Sequence, residues 1–334
     1  MLTFIIRRSV LALLTIWVLS MISFFVIQLP PGDFVDTYVQ QLLEGGGDFG
    51  NVVMEEALGE TLREQYGLNK PVYVQYSKWA WKLLHFDLGM SLISAVPVKD
   101  LILERLLMTV ILAGTTAAFA WGLSIPIGIY SAVRQHSIGD YTFTFIGFLG
   151  LAVPDFLLAL WLMWMAFTYF PDHSIGGLFS PEYLEAPWSW TRVQDLLSHL
   201  WIAAFVVGTA GTAALIRVMR ANLLDELNKP YVEAARAKGV SPWRLVIKYP
   251  TRIALNPFIS TAGLEITELF SGSLIVATVM SLPTVGPLLL RALISQDMFM
   301  AGSILLILTT LTLVGMLISD LMLAALDPRI RMTH

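Results

Sequence analysis

Long uncharged runs alternate with polar stretches along the whole chain. Ser9–Leu29 follows Arg7-Arg8 without a charge, Leu106–Val133 closes on Arg134, and Tyr141–Tyr169 is broken only at Pro154-Asp155. Leu200–Ile216 ends at Arg217, Phe258–Met280 contains Glu265 and Glu268, and Phe299–Leu326 contains Asp320. At 1.5 Å per residue, about 20 apolar residues cross a hydrocarbon core about 30 Å thick, so each run is read as a transmembrane helix. The pattern predicts six spans. The first run also fits a signal peptide, but it exceeds a typical apolar signal core, and Pro30-Pro31-Gly32-Asp33 offers no small-x-small cleavage site.

Between the spans the chain turns polar. Residues 32–105 carry a glycine tract at Gly45-Gly46-Gly47 and a predicted helix around Met54–Gln65. Tyr66-Gly67-Leu68-Asn69-Lys70-Pro71 reads as a helix stop and turn, and Tyr76, Trp79 and Trp81 suit the membrane surface. Trp188 and Trp190 read the same way in the second excursion, Pro171–His199.

The third polar stretch, Asn222–Pro257, is of another kind. Pro230 suits the first turn of a helix, Glu233 lies where the macrodipole favours an anion, and Ala234, Ala235 and Ala237 are strong helix formers. Gly239 predicts a left-handed stop, and Ser241-Pro242 an N-cap followed by proline at the first position of a second short helix. The alanines leave one face nearly flat, so that another protein could approach the backbone closely.

Composition supports a lipid-embedded chain: 334 residues, 56% hydrophobic and 14% charged. A net charge of −4 argues against a nucleic-acid partner, and the lack of cysteine excludes disulfides, thiolate metal sites and cysteine nucleophiles. Of the 21 Lys and Arg residues, thirteen fall on the side of the termini and of residues 217–257. Eight fall on the other side, six of them in the long first loop. The positive-inside rule therefore places both termini and the third polar stretch in the cytoplasm. The motifs G-x-x-x-x-G-K-[ST], H-E-x-x-H and G-x-S-x-G are all missing, so nucleotide cradling and these hydrolytic chemistries are not expected of this chain.

Glu233-Ala234-Ala235 followed by Gly239 resembles the EAA loop of permease subunits of bacterial ABC importers. Ala235-Arg236-Ala237-Lys238-Gly239, with Arg252, Ala254 and Pro257, resembles its oligopeptide/dipeptide/nickel branch. The generic EAA pattern has Ile, Leu and Pro where this chain has Tyr249, Thr251 and Arg252. Pro31-Gly32-Asp33, Gly67-Leu68-x-Lys70-Pro71 and Asp87-Leu88-Gly89-x-Ser91 are similar to that branch, as are Ile125-Pro126-Ile127-Gly128 with Arg134, Ser137 and Asp140.

The resemblance implies an all-α integral membrane protein with the type I importer permease fold. Its parts would be an N-terminal span (1–31), an extracytoplasmic segment (32–105), a five-helix core (106–326) with its coupling loop at 217–257, and a cytoplasmic tail (327–334). Glu233, Ala234, Ala235, Arg236, Lys238 and Gly239 would form the coupling helix that seats in a separate ATPase. The expected partners are a paralogous permease, two ATPases that bind ATP and Mg, and an extracytoplasmic solute-binding protein, at the bacterial inner membrane. The cargo would be oligopeptides or oligosaccharides. Leu282-Pro283-Thr284-Val285-Gly286-Pro287 departs from the aromatic-proline-glycine pattern of peptide carriers, which keeps sugars open.

Glu265, Glu268 and Asp155 are the intramembrane carboxylates that call for a polar neighbour. The two glutamates share a helix face at i,i+3 spacing and suit a translocation path, a subunit interface or a hydrated cytoplasmic end. A proton-coupled secondary transporter using these carboxylates with Asp320 is the alternative, and it leaves residues 233–239 without a task.

Overall fold

The computed structural model describes residues 2–29, 32–44, 59–64, 67–92, 94, 96–169, 176–184, 186–260 and 274–326. They form helices α1 (Leu2–Ile27), α2 (Phe34–Glu44), α3 (Val72–Leu84), α4 (Val98–Val133), α5 (Ile138–Ala152), α6 (Asp155–Tyr169) and α7 (Trp190–Leu227). Then follow α8 (Pro230–Ala237), α9 (Pro242–Lys248), α10 (Pro250–Ala254), α11 (Leu274–Val279), α12 (Val285–Ile294) and α13 (Met298–Leu326). Residues 59–64 and 256–260 are also helical. Among the described residues, extended pairing is limited to one bridge between Met90 and Pro97.

Among the described residues, four helices are long and apolar enough to cross a membrane: Ile6–Ile27 within α1, α4, α7, and Met298–Leu323 within α13. Their outward side chains, such as Leu13, Trp17 and Ile318, are exposed apolar groups, as lipid-facing positions require. The expected third span is interrupted where Pro154-Asp155 marked it. Tyr141–Tyr169 is not one straight helix but α5 and α6, 15 residues each, bent by 98° at Val153-Pro154. The cause is local: Pro154 disfavours helical backbone at the residue before it, and Val153 is extended at φ −89, ψ 120. The pair makes a broken span or a re-entrant turn. The expected fifth span, Phe258–Met280, falls largely on residues 261–273, outside the described residues, and Glu265 and Glu268 lie there too.

The chain divides into two compact units, residues 1–107 with 284–311 and residues 108–283 with 312–334. In the first unit, Phe24, Trp79, Val98, Ile102, Met300 and Ile304 form the core, and the loop before α4 is pinned by one carboxylate. Asp297, fully buried, accepts from Ser91 Oγ at 2.7 Å and from the Leu92 N–H at 2.8 Å through Oδ2, and caps α13 by accepting from the Met300 N–H at 3.1 Å through Oδ1. Ser91 of the sequence motif is thus half of a knot whose other half, Asp297, no pattern singled out.

Arg63 joins the helical residues 59–64 to the start of α2. Its Nε donates to Asp33 Oδ2 at 2.6 Å and its Nη2 to Asp36 Oδ1 at 2.6 Å. Burial works against the Asp33 charge, yet the Arg63 guanidinium and the Asp36 backbone N–H hold the carboxyl below the usual aspartate range. Gly67 then turns the chain at φ +70, as expected, and α3 starts after Pro71. Trp79 corrects an expectation: it is 2% exposed, packed on Phe24, while Trp81 is 66% exposed. Two residues along a helix turn through about 200°, so the two indoles lie on opposite sides.

In the second unit, one core lies around Met108, Leu112, Leu178, Leu200, Ala203 and Met280, and another around Met219, Leu223, Val232, Leu245 and Phe258. Helix α7 runs through both. Gly128 permits its close approach to α4, since a Cβ there would sit 2.6 Å from the Met219 side chain.

Candidate functional site

The residues that the sequence marked for docking form a helix–turn–helix at the end of α7. Pro230 occupies the first turn of α8, where its missing N–H costs nothing, and Glu233 lies in that turn. The helix closes by a Schellman motif: Val240 N–H donates to Ala235 C=O at 3.4 Å and Gly239 N–H to Arg236 C=O at 3.0 Å. Gly239 is at φ +78 with open space where a Cβ would point, so glycine is required by backbone conformation rather than by crowding. Helix α9 starts at Pro242 as expected, but the Ser241 side chain makes no capping bond. Its role there is only extended backbone.

This knob has an anchored side and an outer side. Val232, Ala235, Leu245 and Val246 are buried against Met219, Leu223 and Phe258. Glu233, Ala234, Arg236, Ala237, Lys238 and Gly239 are exposed, and so are Trp243, Arg244, Ile247 and Lys248 on α9. Of the six expected coupling residues, five therefore lie on the outer surface and Ala235 lies inside, fixing α8 to the unit. Trp243, 70% exposed, and Ile247, 45% exposed, were not singled out in the sequence, because which side of so short a helix faces outward is set by packing. The surface they complete combines small, apolar and charged groups, the mixture of a protein-docking patch.

Two polar contacts set the angle of the knob. Glu226, at the end of α7 and 7% exposed, accepts from Tyr231 OH at 2.6 Å and pairs with Lys229. Burial, and then that hydrogen bond and the charge of Glu226, push the Tyr231 phenol well above the usual tyrosine range. Upstream, the buried Asp140 receives Arg220 Nε at 3.0 Å and Nη2 at 2.9 Å, a bidentate clamp of α5 onto α7. Ser137 caps α5 by accepting from the Asp140 N–H at 3.2 Å. Ser137 and Asp140, marked in the sequence, thus serve to fix the helix that carries the knob, while Arg220 was read only as a loop cation.

Asp155 begins α6 directly after the bend, in its first turn and half-buried. Among the described residues, no group of three or more His, Cys, Asp or Glu side chains could hold a metal ion.

Residues 124–332 match the family described as the binding-protein-dependent transport system inner membrane component, and residues 1–113 match the N-terminal region of such membrane components. The chain belongs to that family. It is an ABC importer permease of the peptide/nickel branch. It is 34% identical over 331 residues to the oligopeptide transport system permease protein AppB of Bacillus subtilis, covering 99% of each chain. To the dipeptide transport system permease protein DppB of Escherichia coli it is 30% identical, again over 99% of each. An inward-facing structure of the MetNI methionine ABC transporter shares the fold, with a TM-score of 0.53 at 17% identity, over 69% of this chain and 97% of that one. Membership makes this permease a multi-pass membrane transport component rather than an enzyme, and its knob lies within the family match.

Proposed function

We propose that the chain is one permease subunit of an ATP-driven importer and supplies half of a translocation path for oligopeptides. The observation that carries this reading is the rigid knob of α8 and α9, sealed to α7 on one side and presenting Glu233, Ala234, Arg236, Ala237, Lys238 and Gly239 on the other, in a chain of the binding-protein-dependent family. A coupling element must be stiff to transmit motion, and the Schellman closure and the Tyr231–Glu226 bond supply that stiffness. The knob faces the cytoplasm, with both termini, because the basic residues concentrate on that side.

Two ATPases then hold the knobs of this subunit and of a paralogous permease, and an extracytoplasmic solute-binding protein delivers the cargo. ATP drives alternating access by favouring one of two bundle arrangements over the other. Relatives named for oligopeptide and dipeptide transport support peptides as the cargo, and nothing in the comparisons favours oligosaccharides or a proton-coupled mechanism. Glu265, Glu268 and Asp155 are assigned to the path or to the interface with the second permease.

The lack of cysteine makes the test direct. Ala237→Cys should cross-link to a cysteine introduced in the cleft of the co-expressed ATPase, with a yield that changes with nucleotide, while peptide uptake requires both ATPases. Uptake that persists without the ATPases would overturn the reading.

A further inference from the structure

Helix α3 is tied along the terminal turns of α1. Ser20 Oγ and Tyr76 OH share a hydrogen bond at 2.9 Å, Phe24 packs on Tyr76 and Trp79 with ring centroids 5.4 Å away in each case, and Gln28 Nε2 donates to Gln75 Oε1 at 3.1 Å. Because Ile6–Ile27 is a membrane span, its end at Gln28 marks the boundary of the hydrocarbon. Helix α3 therefore lies against the last two turns of that span, from Ser20 to Gln28, and meets the level of the lipid headgroups at its Gln75 end.

Its free surface fits that level. Tyr73, Trp81 and Leu84 recur on one side of the helix and are 70%, 66% and 75% exposed, and Phe86 just beyond is 89% exposed. Lys78 and Lys82, one turn apart, occupy the adjoining side. Aromatic groups beside lysines are the surface of a helix that lies in the membrane interface. Behind the lysines is a cavity of about 220 Å³, lined by Lys70, Lys78, Lys82, Trp79 and Phe299 among others, with Glu64 as its acidic group. Three ammonium groups against one carboxylate select an anion.

We propose that this cavity binds the phosphate headgroup of an anionic phospholipid, with the lipid tail lying beside the exposed aromatic side of α3. One further observation agrees. Lys70 crowds Lys78 and, with its own charge, some burial and the charge of Lys82, lowers the Lys78 pKa; a bound anion would relieve that repulsion. This inference rests on α1 being a span and is independent of the importer reading.

The test uses the full chain in nanodiscs of phosphatidylcholine alone or with phosphatidylglycerol. Amine acylation, read residue by residue by mass spectrometry, should slow at Lys78 in the anionic bilayer by about fivefold or more relative to exposed Lys99. Phosphatidylglycerol retained through purification should fall by about fivefold for each lysine changed to glutamine at 70, 78 and 82, and should be kept by the arginine variants. Equal slowing at Lys78 and Lys99, or equal retention by the glutamine variants, would overturn the site. Slowing at Lys78 by inorganic phosphate in phosphatidylcholine discs as strong as that by lipid would make it a soluble-anion site instead. Protection of Lys78 only when partner subunits are bound would give the face to a protein.

Discussion

Helices α3 and α8 are both short, and both bury one side and leave the other free, but they differ in what the free side carries. On α8 and its closing turn it is alanine, glycine and single charges; on α3 it is Tyr73, Trp81 and Leu84 beside two lysines. A surface without bulk lets a rigid partner come close to the backbone, whereas a surface of large amphipathic rings suits a fluid interface that adapts around them. The buried sides differ as well. Helix α8 is held by small groups, Val232 and Ala235, and by a local cap, while α3 is held by one large ring, Trp79, that meets α1.

That contrast can be broken most strongly at Trp79. Trp79→Ala should remove about 4 kcal/mol from the first unit, seen as a lower thermal midpoint in detergent, because a buried indole packed on Phe24 leaves a cavity. An unchanged midpoint would mean that α3 is not held by that ring. Next in size, Gly239→Val should cost about 2 kcal/mol, since a β-branched residue at φ +78 is strained even with free space around it. Peptide uptake should fall more than Gly239→Ala lowers it, and equal uptake in the two variants would remove the left-handed turn from the mechanism. Tyr231→Phe should cost about 1.5 kcal/mol by depriving Glu226 of a donor, and should loosen ATPase co-purification without altering lipid retention.

The smallest effect concerns Asp33. Its folded pKa is depressed, so the stability from its pairing with Arg63 is present above the ordinary aspartate value and is lost as pH falls through the folded value. Protease cutting near residues 59–64 should therefore rise below about pH 4. Arg63→Gln should cut as readily at neutral pH and show no further acid step. An acid step kept in that variant would assign the transition to another carboxylate.

Legibility followed the range of the interaction. Pro230, Glu233, Gly239 and Pro242 each act within one turn of their own position, so the knob and its joint were readable from order alone. Asp297 caps its own helix but also holds Ser91 and Leu92, about 200 residues earlier in the chain. No local signal marks such a partner. The bend at Val153-Pro154 lies between these cases: proline announced an interruption, but not its 98° size.

By itself, the order of residues determined that this chain lives in lipid, where its long helices run, which side is basic, and where a helix–turn–helix would project between the fourth and fifth apolar runs. These depend on hydrophobic run length, charge and backbone preference, which act locally. Folding in three dimensions decided that Ala235 turns inward, that Trp79 is core while Trp81 is surface, that Arg220 finds Asp140, and that three lysines share one cavity. Burial and pairing belong to neighbours in space, and only packing brings distant segments close enough to become neighbours.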